Sequence, residues 1–220
     1  MLALSLSGGE RPLRRVLAIG CHADDVEIGC GGTILSLIRD HDALEVTWVV
    51  LGAEGDREAE ARASAEQFLE GAGRAEVVVH GFRDAYMPFH GEAVKEAFEG
   101  LKRVEPDVVL THTRHDRHQD HRLACELTWN TFRDHLILEY EVPKWDGDLG
   151  RPNLYVPLGD ELVERKLDLV LRHFPTQAGK HWYDDETFRG LMRLRGLECA
   201  SSSRYAEAFY SPKAVLGTGG

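Results

Sequence analysis

Residues 14–38 read RRVLAIGCHADDVEIGCGGTILSLI, and this stretch decides the fold. Residues 16–19 form an apolar run that is typical of a buried strand, and Ile34, Leu37 and Ile38 then recur at the spacing of a helix face. A polar segment and a glycine-rich turn lie between the two. A strand followed directly by a helix is the repeating unit of α/β proteins, so the stretch predicts a parallel sheet.

The same alternation continues along the rest of the chain. Apolar runs predict further strands at residues 44–51, 77–79, 106–110, 137–140, 154–156 and 204–210. Helical spacing predicts helices at residues 61–72, 94–101, 119–134 and 163–174, whereas 143–151 is a loop and 217–220 a frayed end. Because no repeat or linker divides the chain, we predict one α/β domain over residues 1–220, with a mainly parallel sheet and helices on both faces.

The composition limits the classes of molecule that the protein is expected to bind. The 220 residues are 43% hydrophobic, and 26 basic side chains stand against 37 acidic ones, for a formal net charge of -11. Such a field repels nucleic acid and anionic lipid, so we expect neither as a partner. An anionic small molecule stays compatible, because a local cluster of arginines can act against the overall sign.

Several features predict a cytoplasmic protein. Residues 1–10 contain a short apolar stretch with no basic residue before it, unlike an export signal, and no run approaches the length of a membrane span. The four cysteines, Cys21, Cys30, Cys125 and Cys199, have no paired CxxC spacing, so we expect reduced thiols.

Two polar clusters follow predicted strands that should be neighbours in the sheet. Residues 21–25 (CHADD) follow the first strand and residues 112–121 (HTRHDRHQDH) follow the fourth. Open parallel sheets bind ligands at the carboxyl ends of such strands. A catalytic zinc takes three nitrogen and oxygen ligands. His22 and Asp25 are three residues apart, as are His118 and His121, so one of the last two would complete a metal shell and the other would act as acid or base.

Each of these signals also has a purely structural interpretation. An Asp-Asp pair after a strand usually caps a helix or stabilises a turn, and the four histidines at 112, 115, 118 and 121 can be a coincidence of composition. Residues 29–32 lack a complete nucleotide-binding pattern, so close packing of helix on sheet explains their glycines better. Trp145, Trp182 and Tyr183 can stack on a sugar ring, but scattered aromatic residues more often belong to a core.

At these residues the sequence resembles the PIG-L/LmbE-like family of zinc-dependent N-acetylglucosaminyl deacetylases. The resemblance rests on HADD at 22–25, on EIG and GGT at 27–29 and 31–33, and on HQDH at 118–121. Arg57 with Glu60 and the PDVV run at 106–109 add to it. It covers about residues 14–135 well and 136–212 loosely, and those later residues are expected to specify the substrate. The family's fold is a Rossmann-like α/β domain, in agreement with the pattern above.

The resemblance also implies a role for each matching residue. His22, Asp25 and His121 correspond to the metal ligands, with zinc or another divalent ion as the cofactor. Asp24 corresponds to the general base, His118 to the histidine that stabilises the oxyanion and protonates the leaving amine, and Asp120 to a carboxylate paired with that histidine. Arg57 and Arg117 correspond to positions near the substrate.

The implied reaction is removal of an acetyl group from the amide of an N-acetylated amino sugar or its conjugate, a small molecule, by a homo-oligomeric enzyme. Two other functions stay open on the sequence. One is a metal-dependent phosphohydrolase or nucleotide-binding enzyme, although no Walker lysine follows Gly32. The other is an inactive module with a structural metal, although structural zinc sites are usually rich in cysteine.

Overall fold

The first strand is apolar between its two end residues because the sheet is covered on both faces. The computed structural model of the chain describes residues 3–6 and 12–217. In β1 (Arg15–His22), Val16 and Ala18 pack into the core on one face, and Leu17 and Ile19 pack into the core on the other. Parallel strands buried on both faces have this continuous apolar character.

The alternation predicted from the sequence is present in the structure. The strands after β1 are β2 (Glu45–Gly52), β3 (Arg74–Val79), β4 (Val108–His112), β5 (Leu136–Tyr140), β6 (Leu154–Leu158) and β7 (Tyr205–Tyr210). The helices are α1 (Asp25–Asp40), α2 (Asp56–Phe68), α3 (Gly91–Leu101), α4 (Gln119–Thr131), α5 (Asp160–His173) and α6 (Asp185–Glu198). Short 3₁₀ turns lie at Met87–His90, Lys102–Val104 and Pro175–Gln177.

One seven-stranded sheet joins the two halves of the chain, in the order β3-β2-β1-β4-β5-β7-β6. The first five strands pair in parallel, and β7 is antiparallel to both of its neighbours. Helices α1, α2, α5 and α6 cover one face, whereas α3 and α4 cover the other. The Rossmann-like fold, with a mainly parallel sheet between two helical layers, is therefore confirmed. The pairing of β1 with β4 is also confirmed.

The structure corrects three details of the prediction. Cys21 and His22 belong to β1 itself rather than to the loop after it. Helices α2 and α4 end at Phe68 and Thr131, each before the predicted last residue. Helix α6 was missed because Leu194 and Leu197 are exposed and therefore obscure its apolar stripe. The predicted end at 218–220 lies outside the described residues, as do residues 1–2 and 7–10 of the N-terminal stretch.

Glycines on α1 allow the helix to lie directly against its neighbours, as the packing interpretation predicted. A Cβ on Gly29 would fall 2.1 Å from Cδ2 of Tyr140 on β5, and one on Gly31 would fall 2.6 Å from Cε1 of Phe68. Both distances are shorter than any normal carbon contact. The glycines of residues 29–32 therefore position α1, which begins at Asp25, against the sheet.

We expect Gly29→Ala to lower the free energy of unfolding by about 1–3 kcal/mol, because the added methyl group overpacks the contact with Tyr140. Gly190→Ala is the matched control, since Gly190 lies inside α6 with no atom within 4 Å of its Cβ position. That change should raise the free energy of unfolding by up to about 1 kcal/mol. Urea denaturation measures both, and equal stability of the two variants would contradict the packing assignment.

A buried ion pair ties α1 to the C-terminal part of the chain. Lys166 Nζ on α5 donates to Glu207 Oε1 on β7 and to the Ile28 carbonyl on α1, both at 2.6 Å. Glu207 also accepts the main-chain N–H groups of Gly32 at 2.8 Å and Thr33 at 2.6 Å. All the polar groups of this pair thus have partners, as a buried charge requires.

No helix within residues 3–6 and 12–217 combines the length and the apolar character needed to cross a bilayer.

Candidate metal and active site

The polar cavity lies where β1 and β4 end. Helix α1 leaves β1 toward one face of the sheet and α4 follows β4 on the other, so the chain opens a crevice between the two strand ends. The cavity has a volume of about 580 Å³. Its walls come from the predicted motifs and from later loops: His22, Asp24, Asp25, Gly52, Ala53, Glu54, Arg57, Phe82, Arg83, Asp84, His118, His121, Val142, Lys144, Trp145, Asp146, Gln177, Lys180 and Trp182.

The three predicted metal ligands meet at one point. His22 Nδ1 lies 3.1 Å from His121 Nε2 and 3.2 Å from Asp25 Oδ2, and His121 Nε2 lies 3.3 Å from Asp25 Oδ2. Ligand distances of about 2.0–2.2 Å in a tetrahedral shell put ligand atoms roughly 3.3–3.6 Å apart. Two imidazole nitrogens and one carboxylate oxygen at this spacing therefore fit a zinc-like divalent ion.

Outer carboxylates turn both imidazoles toward that point. Asp116 Oδ2 lies 2.8 Å from His121 Nδ1, and Asp84 Oδ1 lies 2.9 Å from His22 Nε2. An ionised carboxylate only accepts hydrogen bonds, so each facing nitrogen carries the proton and the other nitrogen keeps its lone pair. The close approach of the His22 ring lowers the pKa of Asp84 to about 2 despite partial burial. Such outer partners are typical of metal-binding histidines.

We expect Asp116→Asn to weaken zinc binding by about 10- to 100-fold, because Asp116 fixes the tautomer and orientation of His121. Competition with a chromophoric chelator measures the zinc dissociation constant. Asp134→Asn is the control, because the Asp134 side chain is 92% exposed. Unchanged zinc affinity in Asp116→Asn would show that Asp116 does not support the site.

Asp24 lines the same cavity as the three converging atoms and is oriented by Arg57. It occupies the N-cap position of α1, but its side chain makes no capping hydrogen bond, so the capping interpretation does not account for it. Instead, Arg57 Nη2 donates to Asp24 Oδ1 at 2.7 Å. Burial opposes the charge of Arg57, but the Asp24 carboxylate outweighs this and raises the Arg57 pKa. Arg57 thus lines the cavity and forms an ion pair with Asp24 there.

His118 is held at the start of α4 with a defined proton position. Its Nδ1 accepts the main-chain N–H of Asp120 at 3.3 Å, which places the proton of the neutral ring on Nε2. The ring centroid lies 4.8 Å from that of His22 and 4.7 Å from that of His121. Burial lowers the pKa of His118. His118 is therefore a neutral hydrogen-bond donor at neutral pH.

The expected pairing of the Asp120 carboxylate with His118 is not what the structure contains. Asp120 Oδ2 accepts the main-chain N–H of Ala85 at 2.7 Å, and Oδ1 accepts that of Met87 at 3.2 Å. The same carboxylate lies 3.5 Å from His22 Nε2. Sequence spacing could not predict this, because the loop after β3 reaches Asp120 from a distant part of the chain. Asp120 fixes that loop against α4.

Arg117 does not reach the cavity. It is exposed and absent from the cavity wall, and its main-chain N–H donates to Asp148 Oδ2 at 2.8 Å. The expectation that Arg117 contacts substrate is therefore not supported by its position. His115 is exposed as well, with its ring centroid 5.8 Å from that of Tyr210. Of the four spaced histidines, only His118 and His121 line the cavity.

The three aromatic residues of the C-terminal part separate into two groups. Trp145 and Trp182 line the cavity. Tyr183 is buried, and its hydroxyl donates to the Val170 carbonyl at 2.9 Å, so it belongs to the core. Of the three aromatic residues, Tyr183 therefore fits the interpretation that they belong to the core.

Three residues near the site were not singled out from the sequence. Asp84 follows β3, and the rule that placed the other clusters at the carboxyl ends of strands also applies to it. Asp116 carried no signal beyond its place among the histidines. His112 is fully buried under His121, with ring centroids 3.8 Å apart, and its Nε2 lies 3.2 Å from Asp25 Oδ2. Burial lowers the pKa of His112 to about 4.

Comparison with known proteins identifies the family of the chain. Residues 17–132, more than half of the chain, match the family described as GlcNAc-PI de-N-acetylase, PIG-L. The chain belongs to the PIG-L family. The matched segment contains every residue assigned to the metal site and closely follows the extent expected from the sequence motifs.

PIG-L relatives and solved structures agree with the fold. The uncharacterized deacetylase YaiS of Escherichia coli K12 is 26% identical over 184 residues, which is 78% of this chain and 95% of YaiS. The N,N'-diacetylchitobiose deacetylase of Pyrococcus horikoshii superposes with a TM-score of 0.70 at 23% identity, covering 93% of this chain and 86% of that one. GalB, a 4-carboxy-2-hydroxymuconate hydratase of Pseudomonas putida KT2440, superposes with a TM-score of 0.71 at 18% identity, covering 94% and 99%. The fold therefore carries more than one chemistry.

Proposed function

We propose that this PIG-L protein is a metal-dependent deacetylase that removes the acetyl group from the amide of an N-acetylated amino sugar or its conjugate. The convergence of His22, Asp25 and His121 within 3.3 Å of one another, in a cavity that Asp24 also lines, carries the proposal. Two of the compared proteins are named deacetylases, and one of these acts on a diacetylated disaccharide. The family and the site chemistry thus point to the same reaction.

Zinc is the proposed ion, with His22, Asp25 and His121 as its ligands. When bound, such an ion polarises a carbonyl oxygen and makes water acidic enough to act as a nucleophile near neutral pH. The mixed nitrogen and oxygen donor set would also accept iron, cobalt or nickel. The outer carboxylates of Asp84 and Asp116 support the two histidines in the role of ligands.

Asp24 is the proposed general base. Its carboxylate takes a proton from the attacking water as the water adds to the amide carbon. Arg57 donates to Oδ1, so the carboxylate keeps one orientation throughout. General acid–base help of this kind contributes roughly 100- to 10,000-fold to a rate.

His118 is the proposed oxyanion donor, and its neutral state changes the role expected from the family resemblance. The Nε2–H group can donate to the negative oxygen that forms when water adds, a contact typically worth about 3 kcal/mol. Protonating the leaving amine from a neutral ring would create an imidazolate, which is too costly. We therefore assign that second proton transfer to Asp24, which holds the proton taken from water.

The proposal also covers the cellular location, the assembly and the domain extent of the enzyme. The chain's net charge disfavours nucleic acid and anionic lipid, and its four cysteines are unpaired thiols, which supports a cytoplasmic protein with a small-molecule substrate. We propose a homo-oligomer by resemblance to the family, and one domain over residues 1–220. Trp145, Lys180 and Trp182 line the cavity, which supports substrate specification by residues 136–212.

Acetate release by the zinc-loaded protein tests the function. N-acetylglucosamine, N,N'-diacetylchitobiose and charged N-acetylated sugars should yield acetate and free amine in equal amounts. Phosphate release from nucleotides would support the phosphohydrolase instead. Metal binding without either product would indicate an inactive module. Addition of water to an unsaturated acid, as in the hydratase GalB, is the further control that the shared fold calls for.

A further inference from the structure

Two cations on the cavity wall have no carboxylate partner among the described residues. The side chains of Arg83 and Lys180 are exposed, and each lies against an aromatic ring instead of an acid. The guanidinium carbon of Arg83 is 3.8 Å from the centroid of Tyr86, and Lys180 Nζ is 5.4 Å from that of Trp182. An aromatic ring holds a cation in place without neutralising it.

The other charges on the cavity wall are compensated, with one exception. Arg57 pairs with Asp24, and Lys144 Nζ lies 2.9 Å from Asp116 and 3.7 Å from Asp146. Asp25 and Asp84 face histidines. Glu54 is the remaining wall carboxylate, and among the described residues it makes no ion pair. Two unpaired cations therefore stand against one unpaired acid on this wall, in a chain whose net charge is -11.

The aromatic residues beside Lys180 form a rigid corner. Trp182 packs on Tyr183 and Phe188 of the core, with centroids 5.7 Å and 6.4 Å apart. Trp145, which is 63% exposed, meets Trp182 at an angle of 85° and donates from Nε1 to His181 Nε2 at 3.0 Å. The Trp182 Nε1–H group is buried without an acceptor in the described chain, which is uncommon in folded proteins.

We propose that the substrate carries an anionic group, a phosphate or a carboxylate, beyond its acylated amino sugar, and that the two unpaired cations of the cavity wall, Arg83 and Lys180, attract this group. The proposal rests on the proposed deacetylase function and specifies its substrate class. Cations held in advance by aromatic rings lose little side-chain freedom when an anion binds. They would therefore select charged substrates over neutral ones of equal size.

Matched substrates test the proposal. The zinc-loaded protein is assayed for acetate release from methyl N-acetylglucosaminide, which is neutral, from N-acetylglucosamine 1-phosphate, and from N-acetylglucosamine linked to glucuronic acid. We expect kcat/KM to be at least about 10-fold higher for one or both anionic substrates at low ionic strength, and the preference to shrink as salt screens the charges. The better of the two anionic substrates identifies the group.

Variants of Arg83 and Lys180 then test whether these two cations cause the preference for anionic substrates. Arg83→Gln and Lys180→Gln should each lower the ratio of anionic to neutral kcat/KM by about 3- to 10-fold, and the double variant should abolish it. Arg151→Gln removes an exposed arginine outside the cavity wall and should leave the ratio unchanged. Tryptophan fluorescence, titrated with the same sugars, reports binding at the corner without turnover.

The outcomes separate the two proposals. Acetate release with no preference for charge, or a preference that survives in the double variant, overturns the anion assignment and leaves the deacetylase intact. Failure to release acetate from any of the N-acetylated sugars overturns the deacetylase. In that event the fluorescence titration decides the anion assignment, which fails if the anionic sugars bind no more tightly than the neutral one.

Discussion

Asp24→Asn should retain the metal and lose about 1,000- to 10,000-fold in kcat, the upper range for a single acid–base residue. The large effect is expected because Asp24 is assigned both proton transfers, from the attacking water and to the departing amine. Asparagine has nearly the same shape and can neither accept nor return a proton. Metal analysis of the purified variant, together with acetate release over time, measures both quantities.

Arg57→Gln is the control for the ion pair that Asp24→Asn also breaks. It keeps the carboxylate and removes the guanidinium that donates to Oδ1. The loss in kcat should be smaller, about 10-fold, because the base stays present and only its orientation is less fixed. Wild-type turnover by Asp24→Asn would contradict the assignment of the base, and equal losses in both variants would shift the role to the pair.

His121→Ala should lose both metal and activity. It removes one of three converging ligand atoms, so zinc affinity should fall by more than the roughly 100-fold that bounds the loss of an outer partner. His22→Ala should behave in the same way. The zinc dissociation constant, measured by chelator competition, gives the result without any assay of turnover.

His115→Ala is the matched control for the ligand variants. It removes the same side chain from the same histidine-rich segment, but His115 is exposed and lies outside the cavity wall. Zinc affinity should equal that of the wild type. Tight zinc binding by His121→Ala would place the ion elsewhere, for example among the outer carboxylates, and would end the proposed ligand set.

The sequence predicted the parts of the site that depend on local spacing. His22 with Asp25, and His118 with His121, are each brought together by one turn of chain, and the pairing of β1 with β4 joins the two groups. Contacts from distant loops had no such signal. The attachment of Asp120 to the loop at Ala85, rather than to His118, depends on where β3 ends in space.

The fold was predicted best where burial leaves a clear pattern. Strands β1 and β2 are largely apolar because helices cover both faces, and their runs are evident in the sequence. Helix α6 has leucines on its exposed side as well as Phe188 and Met192 on its buried one, so periodicity alone could not locate it. Its start at Asp184, whose side chain accepts the Thr187 N–H at 2.7 Å, was the more useful signal.

The bonds from Glu207 to the first turns of α1 have a consequence for how such an enzyme diversifies. Residues 17–132 contain all the proposed catalytic residues and metal ligands, yet the helix that begins with Asp25 is hydrogen-bonded to Lys166 and Glu207, which the family match does not include. The catalytic segment is therefore not a separable module. We therefore expect new specificities to arise in the loops near residues 142–150 and 175–184 and in the loop that carries Arg83, because exchanging whole elements of the C-terminal half would release the helix that carries the proposed metal ligand.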